Sequence, residues 1–283
     1  MGASFRAELL KLRKRPAIWI LIVVFLLLSQ VFGYLIPYVS YRSGGGGPGF
    51  VGAAPSNQIL ADILPAGLVA NAIEGFPLFG GAIALIIGAL ASGSEYGWGT
   101  LTTTLTQRPP RRSVYAGKLA AVAVLVLALV VAGFALSSLS SAVIASVESK
   151  ALDWPSPADL SRGIGSGWLI LGVWSLVGMT LGIVLRGTSL AVGLGLVWAL
   201  VIENLVRGVA PLLGLFDALQ TGLPGVNAGS LVSALGGTSA GQPGGTPGVT
   251  SAVSGPQATV VLLAYAVGLA LLAGFTLRRQ DVT

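Results

Sequence analysis

Long apolar segments of the chain are separated by shorter polar segments, which is the pattern of a helical membrane protein. Six apolar runs have the length that crosses a bilayer, about 20 residues, and they occupy residues 17–37, 66–91, 114–143, 163–185, 189–206 and 259–277. The first run is too long for a signal peptide and no small-residue cleavage site follows it, so we interpret it as a retained helix. The pattern predicts an all-α integral membrane protein, with a single transmembrane domain over residues 1–283.

Composition supports the bilayer as the solvent of most of the chain. Hydrophobic residues make up 54% of the 283 positions and charged residues 9%, whereas a soluble domain carries about 25% charged residues. The chain has neither Cys nor His. This excludes disulfides, thiolate chemistry and a Ser–His hydrolase, and it removes the commonest metal ligand. We therefore expect no catalytic residue, no metal site and no cofactor bound by this chain.

The distribution of charge predicts the topology. If both termini are cytoplasmic, the inner segments hold twelve of the sixteen Lys and Arg residues and a net charge of +9, and the outer segments carry −3. Basic residues concentrate on the cytoplasmic side of membrane proteins. The net charge of +6 therefore reflects topology, and we expect no nucleic-acid partner.

An amphipathic segment precedes the first span. Phe5, Leu9 and Leu12 recur at helical spacing over residues 4–15, with basic residues such as Lys11 on the other faces. This pattern predicts a helix lying in the inner membrane interface against anionic lipid headgroups. Two interpretations stay open: the helix anchors the chain to lipid only, or it also provides a docking surface.

A second amphipathic segment lies between spans two and three, at residues 94–107. Trp98, Leu101 and Leu105 fall on one helical stripe, which predicts a short cytoplasmic helix. It either floats on the headgroups or inserts into the groove of a partner, and we favour the partner.

Polar residues at membrane depth are candidates for function. Asn71, Glu74, Glu203 and Asn204 all fall in the outer part of their spans by the helical rise, where they are candidates for an external gate or substrate path. The alternative for Glu203 is a structural pair with Arg207, one turn along the same helix.

The remaining stretches have mainly structural interpretations. Gly178 and Gly182 form a G-x-x-x-G pair that permits close helix contact, within the subunit or between two subunits. Residues 207–256 form a long external loop, whose first half is apolar enough to re-enter the outer interface. Its second half, 236–248, is low in complexity and expected to be mobile. Lys118 follows Gly117 without the rest of a phosphate-binding loop, so we find no ATP site.

Three groups of residues resemble one family. The series Glu8, Lys11 and Arg15-Pro16 near the N-terminus, the series from Glu95 through Gly99-Thr100 and Pro109 to Lys118, and Arg278-Arg279 near the C-terminus are similar to the ABC-2 type permeases. These are the six-span membrane subunits of bacterial ABC exporters.

The resemblance implies two copies of the permease and two copies of a separate ABC ATPase, which binds ATP and Mg²⁺, in the bacterial cytoplasmic membrane. Residues 4–15 would be the interfacial connecting helix. The residues that would couple to the ATPase are Glu95, Tyr96, Trp98, Gly99, Thr100, Leu101 and Leu105. The alternatives are an ion-coupled secondary transporter, or a membrane scaffold that recruits a cytoplasmic partner. The transported substrate cannot be derived from the sequence.

Overall fold

The computed structural model describes residues 2–44, 54–97, 110–209 and 219–279, and this part of the chain is helical without a β-strand. Six of its helices are long and apolar enough to cross a membrane: α2 (Pro16–Arg42), α4 (Pro65–Tyr96), α5 (Arg111–Val147), α6 (Pro157–Val184), α7 (Thr188–Val209) and α9 (Gly255–Arg279). Three shorter helices accompany them: α1 (Gly2–Lys14), α3 (Ser56–Ile63) and α8 (Pro224–Ala234). The predicted fold class and the six spans are confirmed.

Each spanning helix is longer than the apolar run that predicted it, because charged residues interrupt an apolar run without ending a helix. The start of α6 is the clearest case. Ser156 is its N-cap and accepts a hydrogen bond from the Asp159 backbone N–H at 3.2 Å, with Pro157 in the first turn. These are favourable residues for a helix start, and they place it six residues before the apolar run.

Helices α4 and α6 form the centre of the bundle. In both helices 61% of the most apolar stretch is buried, against 17% in α2 and 22% in α7 and α9. Their backbones meet at Gly88 of α4 and Gly178 of α6, where an added Cβ would lie 1.9 Å from the carbonyl oxygens of Ser175 and Leu85 respectively. The Gly178–Gly182 pair therefore packs within the subunit, which confirms the first of the two interpretations.

Three spanning helices each contain one π-helical turn in the half predicted to be outer. The turns are Val31–Leu35 in α2, Phe76–Gly80 in α4 and Val197–Ile202 in α7. Such turns occur frequently at functional sites. Glu74, which is half-buried, and Glu203, which is buried, lie next to the turns of α4 and α7, so these two acids of the outer half lie beside irregular backbone.

A hydrogen-bonded carboxylate joins the outer ends of α2 and α5. Glu148 accepts hydrogen bonds from the hydroxyls of Tyr38 at 2.8 Å and Tyr41 at 3.1 Å, and from Arg42 at 3.2 Å. The Tyr38 hydroxyl, together with Tyr41 and Arg42, holds the pKa of Glu148 below its ordinary value, against the smaller opposing effect of desolvation.

The segment before the last span is more ordered than its composition predicts. Helix α8 is almost fully buried. The turns that follow are closed by backbone hydrogen bonds, in which the N–H of Thr246 donates to Thr238 O at 3.1 Å and that of Ala240 to Val249 O at 3.1 Å. The expectation that residues 236–248 are mobile therefore differs from the structure. Glycine and proline form hydrogen-bonded turns here, and amino-acid composition alone does not distinguish such turns from a flexible linker.

Candidate functional site

Four charged side chains meet where α1, the end of α4 and the start of α5 converge, on the predicted cytoplasmic face. We call Glu8, Lys11, Glu95 and Lys118 the charge cluster. The Lys118 ammonium lies 2.9 Å from Glu95 Oε1 and 3.0 Å from Glu8 Oε2. Lys11 also binds both carboxylates. Each acid therefore contacts both bases, and the cluster is electrically neutral.

Three of the four side chains are buried, with 3% of Lys118, 5% of Glu95 and 7% of Glu8 exposed, whereas the Lys11 side chain is 36% exposed. Lys118 also donates to the carbonyl oxygen of Ala91 at 2.8 Å. Buried charges are tolerated when partners and hydrogen bonds satisfy them. Desolvation alone would lower the pKa of Lys11, but Glu95 and Glu8 raise it above the ordinary value, so Lys11 keeps its charge.

Helix α1 packs onto the bundle beside this cluster. Leu12 is buried, and Phe5 and Leu9 pack against the core while remaining partly exposed. The Ser4 hydroxyl hydrogen-bonds the Ser113 hydroxyl of α5 at 3.0 Å. The apolar stripe that was predicted to face lipid therefore packs largely against the protein. The basic residues Arg6, Arg13 and Lys14 are exposed on α1.

The predicted coupling residues divide into two groups. Glu95 belongs to the charge cluster, and Tyr96 packs against the core as a half-buried side chain. Trp98, Gly99, Thr100, Leu101 and Leu105 lie outside the described residues, so their contact with an ATPase stays a prediction. The two helices that flank this segment, α4 and α5, are joined by the contact of Glu95 with Lys118.

On the opposite face, Asn71 and Glu74 connect α4 to its surroundings. Asn71 donates to the Gly33 carbonyl in the π-turn of α2 at 3.0 Å. The two oxygens of Glu74 accept from the backbone N–H of Thr238 at 3.0 Å and from the Thr246 hydroxyl at 2.8 Å. Glu74 therefore fastens the turns that follow α8 to the outer end of α4.

Glu203 has a different partner from the one expected. Its carboxylate accepts from the backbone N–H of Gly225 at 2.8 Å and from Trp198 Nε1 at 3.1 Å, and among the described contacts it forms no ion pair with Arg207. A Cβ on Gly225 would lie 2.0 Å from Glu203 Oε2, so only glycine allows this approach. The charge of Arg207 acts on Glu203, but the direct contacts of the carboxylate are those that anchor α8. Asn204 is exposed and binds only the Leu200 carbonyl among the described residues, at 2.8 Å.

Sequence reasoning identified Glu95 and Lys11 as site residues but missed Glu8 and Lys118 as their partners. Both were among the motif residues, but a pairing across 110 positions has no local periodicity that reveals it. Across the described part of the chain, no group of three acidic, His or Cys side chains that could hold a metal ion is present.

The comparison with known families fits this architecture. The model of the family described as ABC-2 family transporter protein matches residues 3–282. A search of curated proteins found no significant match. The family match takes in all six spans, helix α1 and the charge cluster. The chain therefore belongs to the ABC-2 transporter family, as a multi-pass membrane permease subunit of an ABC transporter.

Proposed function

We propose that this chain is the permease of an ATP-driven exporter in the bacterial cytoplasmic membrane, working as a homodimer with two copies of a separate ATPase. The ATPase subunits bind ATP and Mg²⁺ and dock on α1 and on residues 94–107. The observation that carries the proposal is the charge cluster, which joins α1 to both helices that flank the predicted coupling segment.

The cluster makes this face suitable for transmitting force. Separating α1 from α4 and α5 would break the two ion pairs that cross this contact, Lys11 with Glu95 and Lys118 with Glu8, and would leave each acid with one ammonium partner in place of two. A push on the segment between α4 and α5 therefore moves α1 with it. In the proposed cycle, closure of the ATPases on ATP moves this unit in each permease and changes the contact between the two permeases.

The apolar outer surface of the bundle supports association in the membrane. Large hydrophobic side chains are exposed on α2, α5, α7 and α9, such as Ile20, Leu139, Leu190 and Leu271. In a bilayer this surface contacts lipid and can accept a second copy by close packing. Export is the direction that the resemblance to bacterial exporters implies.

The experiment is co-purification of the ATPase with the tagged full-length permease from its native host. We expect a subunit with a phosphate-binding loop in equal amount. The variant Trp98→Asp with Leu101→Asp should lose it, because two carboxylates on the predicted apolar stripe oppose insertion into a groove.

The matched control is Leu152→Asp with Trp154→Asp. These side chains are 54% and 47% exposed in the predicted external connection between α5 and α6, so the same substitutions fall on the opposite face. This control should retain the ATPase. Retention by both variants would refute docking through residues 94–107, and the absence of any ATPase from the native preparation would refute the exporter.

A further inference from the structure

A cavity of about 260 Å³ lies between the outer halves of α2 and α4, and residues 244–247 and α3 contribute to its wall. Its sides are aromatic. Phe25 and Phe76 are in tilted contact with ring centroids 5.5 Å apart, and Phe32 and Phe79 are stacked at 6.1 Å. Phe32 and Phe79 are about half exposed, so they form a rim through which the cavity opens on the apolar surface of the bundle.

One end of the cavity is acidic. Asp62, Asn71 and Glu74 line it, and no Lys or Arg is among its described lining residues. Neither carboxylate forms an ion pair with any residue that the structure describes. The acids of the charge cluster, in contrast, each have two ammonium partners. The cavity therefore has two carboxyl groups that no described protein cation balances.

The polar and apolar ends are separated along the membrane normal. Glu74 and Ile83 both line the cavity and lie nine positions apart on α4, roughly 13 Å at the helical rise. The acidic end lies toward the predicted outer side, and the end at Phe25 and Ile83 lies deeper in the bundle. The cavity thus has the polarity of an amphipathic molecule with its head group outward.

We propose that this cavity binds an amphipathic organic cation, with its positive head group beside Asp62 and Glu74 and its apolar tail between the phenylalanine rings. The carboxylates attract the cation, and the ring faces favour both a positive group and an apolar tail. An anion of the same shape would be repelled by carboxylates that attract the cation. The sign of the ligand's charge is therefore the main determinant of which molecules this cavity binds.

As the substrate site of the proposed exporter, this cavity identifies amphipathic organic cations as the transported class. This inference rests on the proposed function. Binding itself needs neither nucleotide nor the ATPase. A failure to bind the cation and a failure to recruit an ATPase are therefore separate results, obtained on different preparations.

The test is calorimetric titration of the full-length protein in phosphatidylcholine nanodiscs, with empty nanodiscs as the blank. The probes are octyltrimethylammonium and octanesulfonate, which have the same tail and opposite charge. We expect saturable binding of the cation and no binding of the anion beyond the blank. Glu74→Gln combined with Asp62→Asn should weaken cation binding by at least tenfold.

Two further variants keep the result interpretable. Asp62→Asn alone removes one charge from a side chain that makes no described hydrogen bond, so the fold is retained, and it should weaken cation binding by about threefold or more. Asp153→Asn makes the same change at an exposed acid of the predicted outer side and should leave binding unchanged. Equal binding of the two probes, undiminished binding by the double variant, or no saturable binding of the cation would each overturn the proposal.

Discussion

Replacement of Gly178 by alanine tests the packing of α4 against α6. The added Cβ would lie 1.9 Å from the Leu85 carbonyl oxygen and 2.9 Å from the Ala89 nitrogen, and ordinary contact begins near 3.4 Å. The obstructing atoms are backbone, so no side chain can rotate away. The helices must separate locally by roughly 1.5 Å, the difference between the first and last of these distances.

That separation has a calculable cost. A gap of 0.5–1 Å already loses a quarter to a half of the dispersion energy between facing atoms. The side chains beside the contact include Leu85, Trp174 and Met179, all at most 2% exposed. Overpacked cores lose about 1–3 kcal/mol, and we expect Gly178→Ala to lie near the upper end, at about 3 kcal/mol. An apparent Tm lower by about 6 °C or more should follow.

The assay is thermal unfolding of the purified protein in detergent, followed by its tryptophan fluorescence. Gly172→Ala is the matched control, because it lies on the same helix and a Cβ there meets no atom within 4 Å. It should be neutral or stabilising by up to about 1 kcal/mol, since alanine is the better helix former. An unchanged Tm for Gly178→Ala, or an equal fall for both variants, would refute the close contact of the two backbones.

Three further outcomes follow from the contacts described above. Lys118→Met should destabilise the protein by about 3 kcal/mol, because Glu8 and Glu95 then share only Lys11. Adding Glu95→Gln should recover part of this loss, which a double-mutant cycle of unfolding measurements would show. The chain has no natural cysteine, so Ser230→Cys, at a residue that is 1% exposed, should resist a maleimide. It should become reactive when Glu203→Ala removes the acceptor of the Gly225 N–H; equal labelling rates would contradict the anchor at Glu203. The Glu148 carboxylate has a lowered pKa, so its stabilising effect should be present above the ordinary value of 4.5 and be lost as pH falls through the lowered value. The Tm difference between the native protein and Glu148→Gln should accordingly vanish in acid, and a constant difference would be the contrary result.

The six spans were predictable because a bilayer imposes its thickness on each helix separately. A run of about 20 apolar residues identifies a span without knowledge of its neighbours. The ends of the helices were less predictable. The start of α6 depends on the cap at Ser156 and Asp159, which lies among polar residues outside the apolar run.

The partners of the polar residues were not predictable from local sequence. Glu203 has Arg207 one turn away, the arrangement that helical spacing favours, but its carboxylate binds Gly225 and Trp198 instead. That choice depends on how α8 folds back onto α7. The same holds for Glu8, whose place on α1 was visible but whose contact with Lys118 depends on the packing of three helices.

The separation of Glu8 from Lys118 by 110 positions also orders the assembly of the protein during synthesis. At about 5–20 residues per second, Lys118 leaves the ribosome roughly 5–20 seconds after Glu8. During that interval the only partner of Glu8 in the charge cluster is Lys11 on the same helix. The two spans α2 and α4 are made before Lys118 follows. Docking of α1 through the charge cluster therefore has to wait until synthesis of the third span, Arg111–Val147, has begun.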